Sequence, residues 1–356
     1  MENLAQKNLG QDLPMLLKNQ TSVLSSSDTG NGVGYSDFRI RGVAGTSINV
    51  MMNGVPHNDS ESQGTFFVNV SDLASSASQI LIQRGVGSTS NGAAAFGASV
   101  NIITKNPEET PYFRTDQSYG SFDTRKHSFE AGTGNFLHNK FSIMARYSII
   151  KSDGYIDRAT SDLQSYNITA LFKTEKTKLK FLAFGGKEKT YQSWNGIDEN
   201  TYKINRKFNS SGAIYQGGNI VKFYDNETDN YQQNHYHLIL NQNISNHWDL
   251  ETTLHYTKGK GFYENYKQDQ RPDKYNILNS GIVKTDLIRK KWLDNDFYGM
   301  VAHIYGKYNQ LKINIGGAGN QYQGKHFGNM SSAQHLIWKD LVFGDGLGKT
   351  GLNLHC

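Results

Sequence analysis

The sequence predicts two parts of different fold class. A small α+β unit comes first, and an antiparallel β-barrel that crosses a membrane follows, with about nine or ten strands here. Three observations carry this. From about residue 110, segment after segment alternates apolar and polar residues with period two. The links between those segments are alternately short and long, as in barrels with tight turns on one side of a membrane and large loops on the other. Finally, Tyr, Gly, Asn and Ser are plentiful while only 5 residues in 356 are Pro, which favours strands and turns over helices.

Composition narrows the function classes. Lys plus Arg number 37 against 32 Asp plus Glu, for a net charge of +5. That balance argues against a nucleic-acid protein, whose basic excess gathers on one face or segment. The single cysteine, Cys356, excludes a disulfide framework and a cysteine-based metal knuckle. No apolar run is long enough for a transmembrane helix. The residues after Met1, ENLAQKN, are polar and show no secretion signal. A cytoplasmic protein shares that feature, as does a chain lacking its native start.

In the first unit, Asp12 is placed to cap a short helix with Pro14 in its first turn and Leu13, Leu16 and Leu17 as its apolar stripe. Phe38 and Ile40 alternate with Arg39 and Arg41. Ile48, Val50 and Met52 form a second strand ending at Asn53-Gly54, a strong turn pair. Residues 71–78 read as a short capped helix, followed by the strand QILIQRG.

A run of small residues from Gly85 to Ala93 then separates that strand from VNIITK. The spacing of Gly87 and Gly92 matches a phosphate-binding loop. However, Ala93 stands where Lys is needed, and a strand follows where a helix is needed. A flexible crossover between strands is the better reading.

In the second unit, Phe141, Ile143, Ala145, Tyr147 and Ile149 share one strand face, and Ser142, Met144, Arg146 and Ser148 share the other. Tyr166, Ile168, Ala170 and Phe172 repeat the pattern, as do Tyr236, Leu238 and Leu240, and then Leu250, Leu254 and Tyr256. The turns at 173–178, 241–249 and 305–310 are short, whereas 187–230 and 261–294 read as long polar links. Aromatics near the strand ends, among them Tyr147, Tyr191, Trp248, Tyr256 and Trp292, suit interfacial girdles. A soluble β-sandwich or propeller also alternates, but its loops do not sort by side.

FRIRGVAGTSINVMMNGVP, then DSESQGTFFVNVSDLASSASQILIQRGVGSTSNGAAAFGASVNIITK, resembles the plug domain of TonB-dependent outer-membrane receptors. The motifs are the Arg-Gly of RIRG, the Asn-Gly-Val-Pro turn, and a strand, an Arg-Gly, a small-residue loop and the ending Val-Asn-Ile-Ile-Thr. SYGSFDTRKHSFEAGTG and ARYSIIKSDGYID look like the first barrel strands of that family, and NDSESQGTFFVN is closest in flavour to receptors of the Bacteroidetes type.

The resemblance implies a plug over residues 1–108 inside a barrel that begins at 109 and runs to 356. It implies a receptor in the bacterial outer membrane, in contact with lipid, that performs no bond chemistry and needs no cofactor. Energised uptake of a scarce solute is the implied function, with a ferric siderophore or other iron chelate first and cobalamin, haem or oligosaccharide behind it. The energy comes from the TonB–ExbB–ExbD complex. A remnant that only binds a ligand or a partner chain is the alternative, and a soluble β-rich glycan-binding protein or enzyme stands further off.

Residue by residue, the resemblance implies plug–barrel ionic contacts at Arg39, Arg41 and Arg84. It makes Gly85, Gly87, Gly92 and Gly97 part of a mobile loop that rearranges at low cost. It places Asn58, Asp59, Ser60, Glu61, Ser62 and Gln63 on an apical loop facing substrate. That loop grazes a calcium-binding pattern, but Val70 stands where the bidentate Glu belongs, so no metal is expected. His235 and His237 share a strand face and read as lumen-facing polar residues rather than as ligands.

The sequence also departs from the family. Large plugged barrels have about 22 strands, and the length after residue 108 suits roughly half that number. The chain therefore reads as a plug plus about the first half of a barrel. A half barrel leaves open sheet edges, and unpaired backbone in lipid costs several kcal/mol per group. On that reading the chain alone is not a working channel.

Overall fold

A computed structural model describes residues 7–85, 96–275, 283–331, 341–343 and 349–355. Its N-terminal unit contains helix α1 (Leu13–Leu17), the hairpin β1 (Val23–Ser27) and β2 (Ser36–Ile40), then β3 (Ile48–Met52) and β4 (Val55–Pro56), helix α2 (Leu73–Ser76), β5 (Ala77–Arg84) and β6 (Ala98–Thr104). The last four strands form one sheet in the order β4-β3-β6-β5, with β3 and β6 parallel. All five residues of β3 are buried, because sheet neighbours flank it and side chains cover both faces. Asn53 and Gly54 both take positive φ, 51° and 79°, which gives the two-residue hairpin turn that the Asn-Gly pair specifies. Asp12 does sit at the start of α1, but its carboxylate makes no cap. It accepts a hydrogen bond from Ser36 Oγ at 2.9 Å instead.

The second unit is one antiparallel wall. Its strands are β7 (Pro111–Gly120), β8 (Thr124–Thr133), β9 (Phe141–Ser152), β10 (Ser161–Lys173) and β11 (Thr177–Tyr191). After a small outlying hairpin, β12 (Ala213–Gln216) and β13 (Asn219–Phe223), come β14 (Thr228–Ser245), β15 (Trp248–Gln270), β16 (Thr285–Tyr308) and β17 (Leu311–Ser331). Two short strands, β18 (Leu341–Phe343) and β19 (Lys349–His355), both pair with β17. Among the described residues the sheet has 11 strands and is open, with β7 at one edge.

The polarity of the wall is inverted relative to a soluble protein. Along β9, Phe141, Ile143 and Tyr147 stand exposed at 38%, 38% and 43%, while Ser142, Met144, Arg146 and Ser148 are buried. Ile168, Leu238 and Leu254 continue the exposed aliphatic face. Exposed aliphatics outside and buried polar groups inside are what lipid on one side and a filled lumen on the other demand. Trp248 and Tyr256 also lie on the exposed face. Tyr191, by contrast, is buried and hydrogen-bonded to Ser211 O and Tyr224 O. Trp292 lines an inner cavity.

One link turns out shorter than its composition suggests. Strand β15 continues to Gln270 and β16 begins at Thr285. A crossing needs about 9–11 residues, so these strands of 23 and 24 residues extend well past the hydrocarbon. Beyond it, side-chain alternation lapses while the backbone ladder persists. The link between β11 and β14 is long, and it carries β12, β13 and helix α3 (Glu199–Ile204), which Asp198 caps by accepting from Asn200 N and Thr201 N.

The N-terminal unit sits against the inner face of the wall. Its apolar core, built on Leu17, Phe38, Ile48, Val50, Val100 and Ile102, extends onto the wall at Leu182 and Phe184 of β11.

Candidate functional site

Polar contacts dominate the remainder of the seam between the two units. Their centre is Asp72, at the start of α2, held with positive φ of 56°. Its carboxylate accepts from Arg146 Nη1 at 2.7 Å, Ser148 Oγ at 2.5 Å, Ser75 Oγ at 2.5 Å and Asn8 Nδ2 at 2.7 Å. Lys126 Nζ lies 3.1 Å away and is wholly buried. Burial alone would raise the Asp72 carboxyl, but the Arg146 guanidinium and Lys126 ammonium outweigh it and hold the pKa at about 2. Further along, Asn31 donates to Ser152 Oγ at 2.7 Å. Lys180 Nζ donates to Thr104 Oγ1 at 2.7 Å and Lys105 O at 2.9 Å.

The expected ionic contacts fall differently. Arg39, Arg41 and Arg84 are exposed, and none makes an ion pair among the described residues. The buried pairs that cross the seam instead join an acid of the N-terminal unit to bases of the wall. Gly85 and Gly97 close the neck of the small-residue loop, Gly85 N donating to Gly97 O at 2.8 Å. Gly85 has φ of 89°, and a Cβ on Gly97 would stand 2.5 Å from Val43. Gly87 and Gly92 lie outside the described residues.

Residues 58–63 form a self-braced loop. Asp59 Oδ1 accepts from Glu61 N, Ser62 N and Ser62 Oγ, and Asp59 O accepts from Gln63 N. Asn58 fastens the loop to β3, accepting from Val50 N at 2.7 Å and donating to Ile48 O at 2.9 Å. Its contact with the wall is Glu61 Oε2 to His326 Nε2 at 2.7 Å.

Two cavities meet at this loop. One of about 590 Å³ touches Asn58, Asp59, Ser60 and Gln63 and runs toward the short-turn end of the wall, past Lys178, Asn241, Glu251 and Asn314. Amides line much of it, among them Asn49, Asn53, Asn101 and Asn106. The other, of about 820 Å³, touches Asp59, Glu61 and Ser62 and lies toward the long-link end. Aromatic rings dominate it. Trp194 meets Tyr35 edge-on at 5.5 Å, and Trp292 packs on Phe262 at 4.5 Å and Phe327 at 5.8 Å.

His235 and His237 face inward and are buried. His57 of the N-terminal unit lies 4.9 Å from His235 between ring centres, and Phe184 stacks on His235 at 4.5 Å. Burial lowers the pKa of His57 to about 4. Among the described residues no group of three or more His, Cys, Asp or Glu side chains could hold a metal ion. Sequence reasoning missed His57 and the buried acid Asp72, since neither sits in a local pattern. The aromatics at 262 and 292 lay within a stretch that reads as polar.

The family model described as "TonB-dependent Receptor Plug Domain" matches residues 1–99. No curated protein matches the chain by sequence. Solved structures match it by fold. The siderophore receptor PiuA of Acinetobacter baumannii is 15% identical with a TM-score of 0.61, over 97% of this chain and 50% of that one. The ferric citrate transporter FecA, in its unliganded form, is 13% identical with a TM-score of 0.68, over 95% and 48%. The copper transporter OprC is 13% identical with a TM-score of 0.68, over 93% and 48%. This chain thus spans about half the length of the structures it matches. Residues 1–99 thus match the plug domain of TonB-dependent receptors, and the chain as a whole has, over about half their length, the fold of the outer-membrane receptors and transporters it is similar to.

Proposed function

We propose that this protein takes part in energised uptake of a scarce solute across the outer membrane, an iron chelate before cobalamin, haem or oligosaccharide. The TonB–ExbB–ExbD complex supplies the work by acting on the plug. The observation that carries this reading is the 58–63 loop, which stands between an aromatic cavity at the long-link end and an amide-lined cavity at the short-turn end. A solute held in the first meets that loop before it can reach the second. On this reading Asn58, Asp59, Ser60, Glu61, Ser62 and Gln63 include the ligand contacts, and Gly85, Gly87, Gly92 and Gly97 belong to the part that rearranges. A division between plug and wall at 108/109 fits the end of β6 at Thr104 and the start of β7 at Pro111. PiuA and FecA, matched by fold, are a siderophore receptor and a ferric citrate transporter, which favours iron over the other solutes.

Uptake of radiolabelled ferric chelates by cells with and without the gene tests the reading. Loss of uptake on deletion, with loss of growth under iron starvation, is expected. A disulfide between Asn31→Cys and Ser152→Cys, which fastens plug to wall where those side chains meet, should block uptake until a reductant is added. Binding without any uptake, in cells with a functional TonB system, would leave only the ligand-binding alternative.

A further inference from the structure

The aromatic cavity also carries information about ligand charge, an inference that rests on that cavity being the ligand site. Its charged groups are uneven. Among the described residues, Asp28, Asp59, Glu61 and Asp229 line it, against a single lysine, Lys291, and no arginine. The Lys291 ammonium lies over the Tyr263 ring, 5.6 Å from its centre. Of the two imidazoles, His57 is half-buried against the rings of Phe184 and His235, and His326 is matched to Glu61 at 2.7 Å.

A site built for a polyanion presents guanidinium forks or clustered ammonium groups. This cavity presents aromatic faces and carboxylates, the combination that receives a cation or an uncharged body with flat apolar surfaces.

We propose that the cavity selects an uncharged or cationic ligand with exposed apolar or aromatic surface, and discriminates against polyanionic chelates of the citrate or tris-catecholate kind.

Two sets of probes test this on the purified full chain in detergent, read by quenching of tryptophan fluorescence and by its loss in Trp194→Phe. The first set is one ferric trihydroxamate in three forms: with its terminal amine free, N-acetylated and N-succinylated. The iron centre is constant while net charge runs from positive through zero to negative. Affinity should fall on the order of tenfold from the acetylated to the succinylated form. That gap should narrow in Asp59→Asn/Glu61→Gln. The second set carries no iron, benzyltrimethylammonium against phenylmethanesulfonate, and the ammonium should bind more tightly. A succinylated chelate or a sulfonate that binds as tightly as its counterpart overturns the proposal, and so does failure of both sets to bind. Binding of the ammonium without any chelate upholds the charge preference and overturns the iron reading instead.

Discussion

The plug and the wall solve opposite problems with the same residue types. In the plug, Ile48, Val50 and Ile102 point inward and are fully or nearly fully buried. In the wall, Ile143, Ile168 and Leu254 point outward and stay exposed, while Lys126, Arg146 and Glu188 are buried. Water expels the first set, and lipid accepts the second. The seam between them is consequently polar over most of its area. A polar seam can exchange protein hydrogen bonds for water at small net cost, since each such bond contributes only about 0.5–1.5 kcal/mol. An apolar seam of the same size would hold far more firmly. On the proposed function, in which the plug shifts inside its wall, the first kind serves better, with firm contact confined to a few points.

Those points are where the comparison breaks most easily. Asp72 joins α2 to Arg146 and Lys126 on the wall, all three nearly or wholly buried. Removing one partner of a buried ionic group strands the others, at a cost of about 3–5 kcal/mol. Asp72→Ala should loosen the plug by that order and leave the wall intact. The check is limited proteolysis in micelles, where plug peptides appear early while wall peptides stay protected. Unchanged plug protection would show that the node does not hold the seam.

Apolar side chains on the two faces of the wall sharpen the same contrast. Leu182 and Phe184 face the plug and share its core, whereas Ile168 faces outward at 40% exposure. Leu182→Ala should cost about 2–5 kcal/mol of plug retention. Ile168→Ala should cost little, but Ile168→Arg should lower wall stability by about 2–4 kcal/mol if it lies near the midplane. Thermal unfolding in lipid vesicles measures both. A destabilising Ile168→Ala with a silent Ile168→Arg would mean that the outward face is covered by protein rather than lipid.

Much of this was legible because strands write a period of two into the chain. The two faces of β9 follow directly from FSIMARYSII. The plug hairpin was legible too, because Asn53-Gly54 has one easy backbone solution. The ionic node was not. Asp72 and Arg146 stand 74 positions apart, and nothing local marks either one. The conspicuous arginines of RIRG and QRG drew the expectation, yet they stand exposed. Charge sign along a sequence does not say which side of an interface will be stripped of water. The aromatic cavity escaped for a different reason. Phe262 and Trp292 lie on parts of β15 and β16 beyond the lipid-matched span, where alternation no longer distinguishes inside from outside.

The smallest expected effect is a pH signature of the plug, and it separates two buried carboxyls by sign. Asp72 has its folded pKa lowered, from 3.8 to about 2. Its contribution is present above the unfolded value and is lost as pH falls through the folded one, between about pH 4 and pH 2. Asp12 has its folded pKa raised by burial, from 3.8 to about 7, with only the Ser36 hydroxyl opposing. Its contribution is complete below about pH 4 and is lost as pH rises toward 7. Asp12→Asn keeps an acceptor for Ser36 and removes that loss. Relative to wild type it should therefore gain plug protection as pH rises from 5 to 7, while Asp72→Asn should lose the acid-side dependence. Hydrogen exchange of plug peptides from about pH 2 to pH 7, each pH referenced to its intrinsic exchange rate, is the measurement. If Asp12→Asn runs parallel to wild type from pH 5 to 7, water reaches that carboxyl, and the plug is less tightly closed at α1 than its burial implies.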